Sequence, residues 1–167
     1  MRIVGIDPGY AIIGWGVIDY GGGRFAVQNF GAVTTQAGQP FLQRLDRIYE
    51  EMTALLEQHQ PDAMSIEKLY FKNNQKTAIE VAQARGVILL AAQRCGIPVF
   101  EYTPLQVKSA VTGFGQAQKP QVMEMTKRLL HLQAVPKPDD TADALAIAIC
   151  HAQTGGTALK LRIMKGR

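Results

Sequence analysis

The chain predicts an α/β fold in which a five-stranded mixed sheet, three antiparallel strands followed by two parallel ones, is flanked by helices. Three observations carry this expectation. The first 35 residues are short apolar runs broken by glycine-rich and Pro-Gly turns, with no helical spacing. Two later short apolar runs, at residues 63–67 and 97–102, each follow a segment of helical periodicity. Such helices are long enough to act as crossovers, so the strands they join pair in parallel and with right-handed connections.

Residues 2–7 are a short apolar strand closed by Pro8-Gly9, and residues 12–19 follow around Gly14-Trp15-Gly16 to the triple glycine Gly21-Gly22-Gly23, as a hairpin requires. In residues 24–35, Phe25, Val27, Phe30 and Val33 alternate imperfectly, predicting a third strand with a bulge near Asn29 or Gly31. Pro40 opens a helix whose Leu42, Leu45, Ile48, Tyr49, Met52, Leu55 and Leu56 share one side, with Arg44, Arg47, Glu50 and Glu51 on the other. Pro61-Asp62 stops it, and residues 63–67 form a brief buried strand ending at Glu67. Residues 74–94 are helical again, with a small-residue face of Ala78, Ala82, Gly86 and Leu90 that lets another helix approach closely, in the core or across a dimer axis. The fifth strand, 97–102, is set off by Gly96 and Pro98. Thr103-Pro104 begins a short helix, 113–119 is a loop and 120–132 another helix. The last helix starts near Asp139, runs through Ala152 and is expected to end at Thr154-Gly155-Gly156. Residues 1–153 thus read as a single domain and 154–167 as a basic, flexible tail.

The 167 residues suffice for one buried core and not for two lobes. With 47% hydrophobic and 19% charged residues the composition is that of an ordinary globular protein. No apolar run approaches the roughly 18 residues of a membrane span, and the amino terminus enters a strand directly, so a cytoplasmic protein without a membrane partner is expected. Cys95 and Cys150 lie in apolar helical patterns and read as buried free thiols. A net charge of +4, with lysines and arginines thickening after Lys108, makes a polyanionic partner plausible.

Four carboxylates carry the chemistry. Asp7 ends the first strand, in a Gly5-Ile6-Asp7-Pro8-Gly9 turn that by itself needs no catalytic role. Glu67 ends a buried strand beside Ile66, an unusual position for a surface charge. Asp140 and Asp143 are three residues apart and share a helix face, where capping alone would also favour acids. Asp143, however, precedes the apolar run from Ala144 to Ile149, so it should point inward. Nothing cationic in the nearby sequence obviously neutralises this set. If the four converge, like charges destabilise the fold unless a cation intervenes. Oxygen-only ligands favour Mg²⁺ or Mn²⁺, and two ions about 3.5–4 Å apart suit in-line phosphodiester hydrolysis. His59, His131 and His151 have no common spacing with the carboxylates and default to surface or supporting roles. Trp15 reads as core, with its flanking glycines letting strands bend.

These residues resemble the RuvC family of Holliday-junction resolvases, a branch of the RNase H-like fold. The resemblance covers nearly the whole chain: residues 5–9, Ile66-Glu67 with Tyr70-Phe71, Asn73 onward to Gln83-Ala84-Arg85-Gly86, Gln106-Val107-Lys108, and 140–146. It implies that Asp7, Glu67, Asp140 and Asp143 are the metal-binding catalytic tetrad, with two Mg²⁺ per subunit that Mn²⁺ can replace. It also implies a homodimer that nicks opposed strands of a four-way DNA junction symmetrically, in concert with a branch-migration motor. Tyr70 stands where the family usually has a phenylalanine that stacks on an unpaired base, and its π face is retained. Lys108 and Lys119 match family lysines that meet backbone phosphates. Three other readings compete: an RNase H-like nuclease acting on RNA or RNA–DNA hybrids, a non-catalytic branched-DNA-binding protein, and one lobe of an actin-like or sugar-kinase phosphotransferase. Four converging acids repel phosphate without metal, which weighs against the second, and the chain is too short for the partner lobe of the third.

Overall fold

A computed structural model describes residues 1–69 and 75–164, with side chains for 1–69 and 77–155. The elements are β1 (Arg2–Asp7), β2 (Ile12–Gly21), β3 (Arg24–Thr34), α1 (Phe41–His59), β4 (Ala63–Glu67), α2 (Gln75–Arg94), β5 (Val99–Tyr102), α3 (Pro104–Thr112), α4 (Lys119–Leu129) and α5 (Asp139–Met164). The five strands form one sheet in the order β3-β2-β1-β4-β5. β1 pairs antiparallel with β2 and β2 with β3, whereas β1–β4 and β4–β5 are parallel. This is the expected mixed sheet. The register of β2 against β3 steps from Val17↔Asn29 to Ile18↔Val27, leaving Gln28 as the extra residue of a bulge beside Asn29.

Period-two alternation divides the strand side chains between two cores. Val4, Ile6, Ile13, Val17, Met64 and Ile66 face α1 and α2, where Ile48, Met52, Leu56, Ala84 and Ile88 complete a buried cluster. Ile3, Ile18 and Tyr102 face the other way, against Val107 and Val111 of α3, Val122 of α4 and the apolar run of α5. Each large side chain sealed this way contributes about 1.5–3 kcal/mol relative to exposure. Leu42, expected on the buried side of α1, is instead 75% exposed: the buried residues of that helix begin later, at Ile48.

α5 is the central helix. From Thr141 to Ala152 every residue is buried except Asp143. It does not stop at Thr154-Gly155-Gly156 but continues to Met164. Two glycines cost about 1 kcal/mol each in a helix interior, yet Ala, Leu, Lys, Arg and Met beyond them are strong helix formers. Gly155 also has a packing reason: a β carbon there would meet the His151 ring at 2.6 Å. α4 ends at Leu129, three residues short of the expected end, and β5 begins at Val99 after Pro98.

The small-residue face of α2 does not pack into the core. Ala84, Ile88, Ala91 and Ala92 make that contact, leaving Gly86 with open space around it and Ile79 and Leu90 65% and 52% exposed. Trp15 packs against the first core cluster, as expected, and also covers Gly31. Cys150 is fully buried and Cys95 partly so, both as free thiols. Among the described residues no helix is long and apolar enough to cross a membrane.

Candidate active site

The site forms at the carboxyl ends of β1 and β4, where α5 crosses the sheet. In β1, Ile3, Gly5 and Asp7 alternate onto the α5 side, and in β4 Ser65 and Glu67 do the same. Ile6 pairs with Ile66, so Asp7 and Glu67 are the next residues on neighbouring parallel strands. On the opposite flank Asp7 is in register with Gly14 of β2.

Glycines on this face bring α5 down onto the sheet. A β carbon on Gly14 would lie 1.9 Å from the Asp140 carbonyl oxygen, and one on Gly5 would lie 2.0 Å from that of Ala144. On Gly16 it would strike the Leu145 side chain at 2.5 Å. Asp140, Ala144 and Ala148 recur every four residues, so this row of α5 rests directly on strand backbone. The Thr141 hydroxyl ties the start of the helix to β3 by donating to the Gly31 carbonyl at 3.1 Å. From sequence, Gly14 and Gly16 were read only as points where strands bend, and Gly5 only as part of the turn around Asp7. Their spacing, Gly5 two before Asp7 and Gly14 two before Gly16, was the available signal that one sheet face had been cleared.

All four predicted carboxylates share this end of the molecule. The carboxyl of Asp7 is pushed up to about 8, first by burial and then by the charges of Asp143, Glu67 and Asp140, with Lys119 acting in the opposite direction. Glu67 is also raised, by burial and then by Asp143, while Lys108 and Lys119 pull it back. Nothing close to the acids in sequence neutralises them, but a lysine from a distant segment does. Lys119, at the start of α4, places its Nζ 2.8 Å from Asp143 Oδ2 and 3.9 Å from Asp139 Oδ2. Lys119 was expected to meet phosphate, and its pairing with Asp143 has no local signal because 24 residues separate the two. The hydrogen bond to Asp143 holds the Lys119 ammonium above its ordinary range. Glu67, Lys108, Lys119 and Asp143, together with Pro104, Val107 and Val122, line a cleft of about 260 Å³.

Lys108 reaches the cleft because α3 is fixed at its start. The Thr103 hydroxyl accepts from the Gln106 N–H at 3.2 Å and Gln106 Oε1 accepts from the Thr103 N–H at 2.8 Å, a reciprocal cap that starts the helix one residue after β5. Behind the site, Tyr102, in register with Glu67, meets His151 of α5 through an Oη–Nδ1 hydrogen bond of 2.7 Å. His151 is 2% exposed and its imidazole also lies against the Phe100 ring. The histidine expected at the surface or in a supporting position is therefore a buried tie between β5 and the helix that carries Asp143. Its pKa is lowered by burial. Tyr70 lies outside the described residues.

Among the described residues, no three acidic, histidine or cysteine side chains stand close enough to make a finished ligand set for one ion. Asp7 is nevertheless raised first by burial and then by the charges of Asp143, Glu67 and Asp140, so the four carboxylates lie near one another. The two observations agree once the donors are considered. Mg²⁺ retains several waters and needs only one or two carboxylates besides substrate oxygens. The Lys119 ammonium, bonded to Asp143, stands in for positive charge at the site. An oxygen-only, over-charged donor set with a lysine counter-ion fits a hard divalent cation.

The chain matches the family model "Crossover junction endodeoxyribonuclease RuvC" over residues 3–151. It is 59% identical over 153 residues to a crossover junction endodeoxyribonuclease RuvC of Brevibacillus brevis, covering 92% of each chain. To the protein of that name from Ruminiclostridium cellulolyticum it is 53% identical, covering 92% of this chain and 93% of the other. Its fold superimposes with a TM-score of 0.86 on T. thermophilus RuvC solved in complex with a Holliday junction substrate, at 33% identity and over 94% of this chain and 96% of that one.

Proposed function

The chain belongs to the RuvC family of crossover junction endodeoxyribonucleases, and from that premise we propose that it resolves four-way DNA junctions by divalent-metal-dependent phosphodiester hydrolysis at the Asp7 site. The observation that carries the reading is Asp7 itself, a carboxyl driven up to about 8 by burial and by three acidic neighbours, one from β4 and two from α5. Structural acids are seldom gathered at such cost, and a cation is what removes it.

In this reading Asp7, Glu67, Asp140 and Asp143 hold Mg²⁺, two ions per subunit, with Mn²⁺ able to substitute. Bound there, the cations supply a nucleophilic water at neutral pH and stabilise the leaving oxygen. The protein's own side chains do the rest. The α5–sheet contact holds Asp140 and Asp143 over Asp7 and Glu67. Lys108 and Lys119 draw the phosphate backbone into the cleft, Lys119 from its place beside Asp143. Tyr70 stacks on a base at the branch.

The functional unit is a homodimer, since a symmetric junction offers two opposed strands. The exposed stripe of Ile79, Gly86 and Leu90 on α2 supports this, being apolar and open to a second helix. A branch-migration motor as second partner and a cytoplasmic location complete the proposal.

The test compares a four-way junction, a linear duplex and an RNA–DNA hybrid as substrates, with and without Mg²⁺. Cutting confined to the junction and dependent on metal is expected. Preference for the hybrid would transfer the activity to an RNA-directed nuclease, and junction binding without cleavage at any Mg²⁺ or Mn²⁺ concentration would leave only a binding protein.

A further inference from the structure

Leu105 and Phe114 are large apolar side chains, each 60% exposed, on the segment that joins the two lysines of the cleft. Leu105 precedes Lys108 by three residues on α3, so the two share a helix side. Phe114 follows the left-handed Gly113 that ends α3, and Lys119 opens α4 five residues on.

The loop folds back along its own helix. A β carbon on Gly115 would come within 3.1 Å of Leu105 Cγ and 2.8 Å of Ser109 Oγ, which brings the Phe114 loop onto Leu105. The Phe114 backbone is held on both sides. Its N–H donates to the Thr112 hydroxyl at 3.1 Å, its carbonyl oxygen lies 3.0 Å from the same hydroxyl, and that carbonyl also accepts from the Ala117 N–H at 3.1 Å. Thr112 in turn reaches the Lys108 carbonyl at 2.8 Å, and Ala117 is buried. An exposed aromatic residue is thus carried on a fixed backbone, in the segment that runs from one cleft lysine, Lys108, to the other, Lys119.

We propose that Leu105 and Phe114 form an apolar platform that engages the face of an unstacked nucleobase at the branch of the DNA substrate. The inference deepens the proposed function and rests on it. Lys108 and Lys119 make this edge complementary to a phosphate backbone, and a backbone held there carries its bases toward the neighbouring loop. Inside a duplex both faces of a base are occupied by stacking, so the platform acts where stacking is interrupted. A ring carried on a fixed backbone has only its two side-chain torsions left to lose on binding, which is how a single aromatic becomes a useful contact.

The experiment measures affinity of the full-length protein for a four-way junction and for a linear duplex of the same sequence, in an Asp7→Asn background that prevents cutting. Leu105→Ala, Phe114→Ala and Phe114→Trp are compared, with 2-aminopurine at the branch as reporter. Phe114→Ala is expected to weaken junction binding about 5- to 100-fold, the worth of one base–aromatic stack, while duplex binding changes less than about twofold. Leu105→Ala shows a smaller loss of the same kind, Phe114→Trp restores affinity, and quenching of 2-aminopurine follows affinity. Equal losses on both substrates, or none, overturn the inference, as does weakened self-association with unchanged junction binding. Wild-type protein that cuts no junction with Mg²⁺ removes the proposed function and this inference with it. Wild type that cuts while the variants bind normally removes the inference alone.

Discussion

A β carbon on Gly14 would stand 1.9 Å from the carbonyl oxygen of Asp140, so the amino-terminal turn of α5 can rest on β2 only because residue 14 has no side chain. Gly14 is also in register with Asp7. The absence of one methyl group thereby brings a helix carboxylate over a strand carboxylate. Gly14→Ala should push α5 off the sheet, lowering stability by roughly 1–3 kcal/mol or more and cleavage by a larger factor. Gly16→Ala should be milder, since its new atom meets the movable end of the Leu145 side chain. Urea denaturation and junction cleavage of both variants check the order. Wild-type behaviour of Gly14→Ala would show that the contact is not obligatory.

Asp7→Asn removes a proposed metal ligand and, with it, a carboxyl pushed up to about 8. Cleavage should fall by at least about a thousandfold while junction affinity stays near wild type, because no cationic contact is touched. The metal-free variant should also be more stable than wild type at pH 8 and above. Thermal melts in chelator test this second expectation, which a purely structural aspartate would reverse.

The pH dependence follows from the same group. Asp7 titrates near 8 in the folded protein against 3.8 for its ordinary value, so the folded state binds more protons across that window. Stability of the metal-free protein should be highest below about pH 4 as far as Asp7 is concerned, and should decline as pH rises through 8. At about 1.4 kcal/mol per unit the upper bound is roughly 6 kcal/mol, and the partial exposure of the side chain trims it to a few. Glu67, raised for similar reasons, adds in the same direction. Saturating Mg²⁺ should flatten the profile. A urea midpoint that climbs from pH 5 to 8 in chelator contradicts the assignment.

Lys119 is bonded to Asp143 at 2.8 Å, and under the proposed function it competes there with metal. Lys119→Met should therefore tighten binding of Mn²⁺ to the free protein, measured by calorimetry, yet slow junction cleavage about tenfold or more as a phosphate contact is lost. If metal affinity and cleavage fall together, Lys119 supports the site instead of guarding it.

Tyr102→Phe deletes the 2.7 Å hydrogen bond to His151 and leaves a buried imidazole nitrogen without a partner. A loss of about 1–3 kcal/mol is expected, visible as a lower urea midpoint. Because Tyr102 pairs with Glu67 and His151 shares α5 with Asp143, the Mg²⁺ concentration for half-maximal cleavage should rise as well. An unchanged metal requirement would confine the pair to stability.

The succession of elements was legible from the chain because it depends on local periodicity: alternation in the first 35 residues, 3.6-residue spacing in α1, and proline or glycine at nearly every boundary. The four carboxylates were legible as well, since an acid that closes an apolar strand or interrupts an apolar helix stands out against its neighbours. Local signals misled where long-range packing took over. Glycines at 155 and 156 read as a helix stop, but one of them makes room for His151 within a helix that continues. The exposed position of Leu42 obeys helical spacing and still finds no core to face.

What the sequence determined by itself was which residues could bear charge, stack or bind metal, and on which face of each element they lie, because those properties are set by residue type and spacing. Only the tertiary structure decided which of them meet. The approach of α5 to β1 and β2, the pairing of Lys119 with Asp143 and the tie from Tyr102 to His151 join residues 24 to about 140 positions apart. No local pattern records such distances. They are set by side-chain volume at the contact, and here by its absence at Gly5 and Gly14.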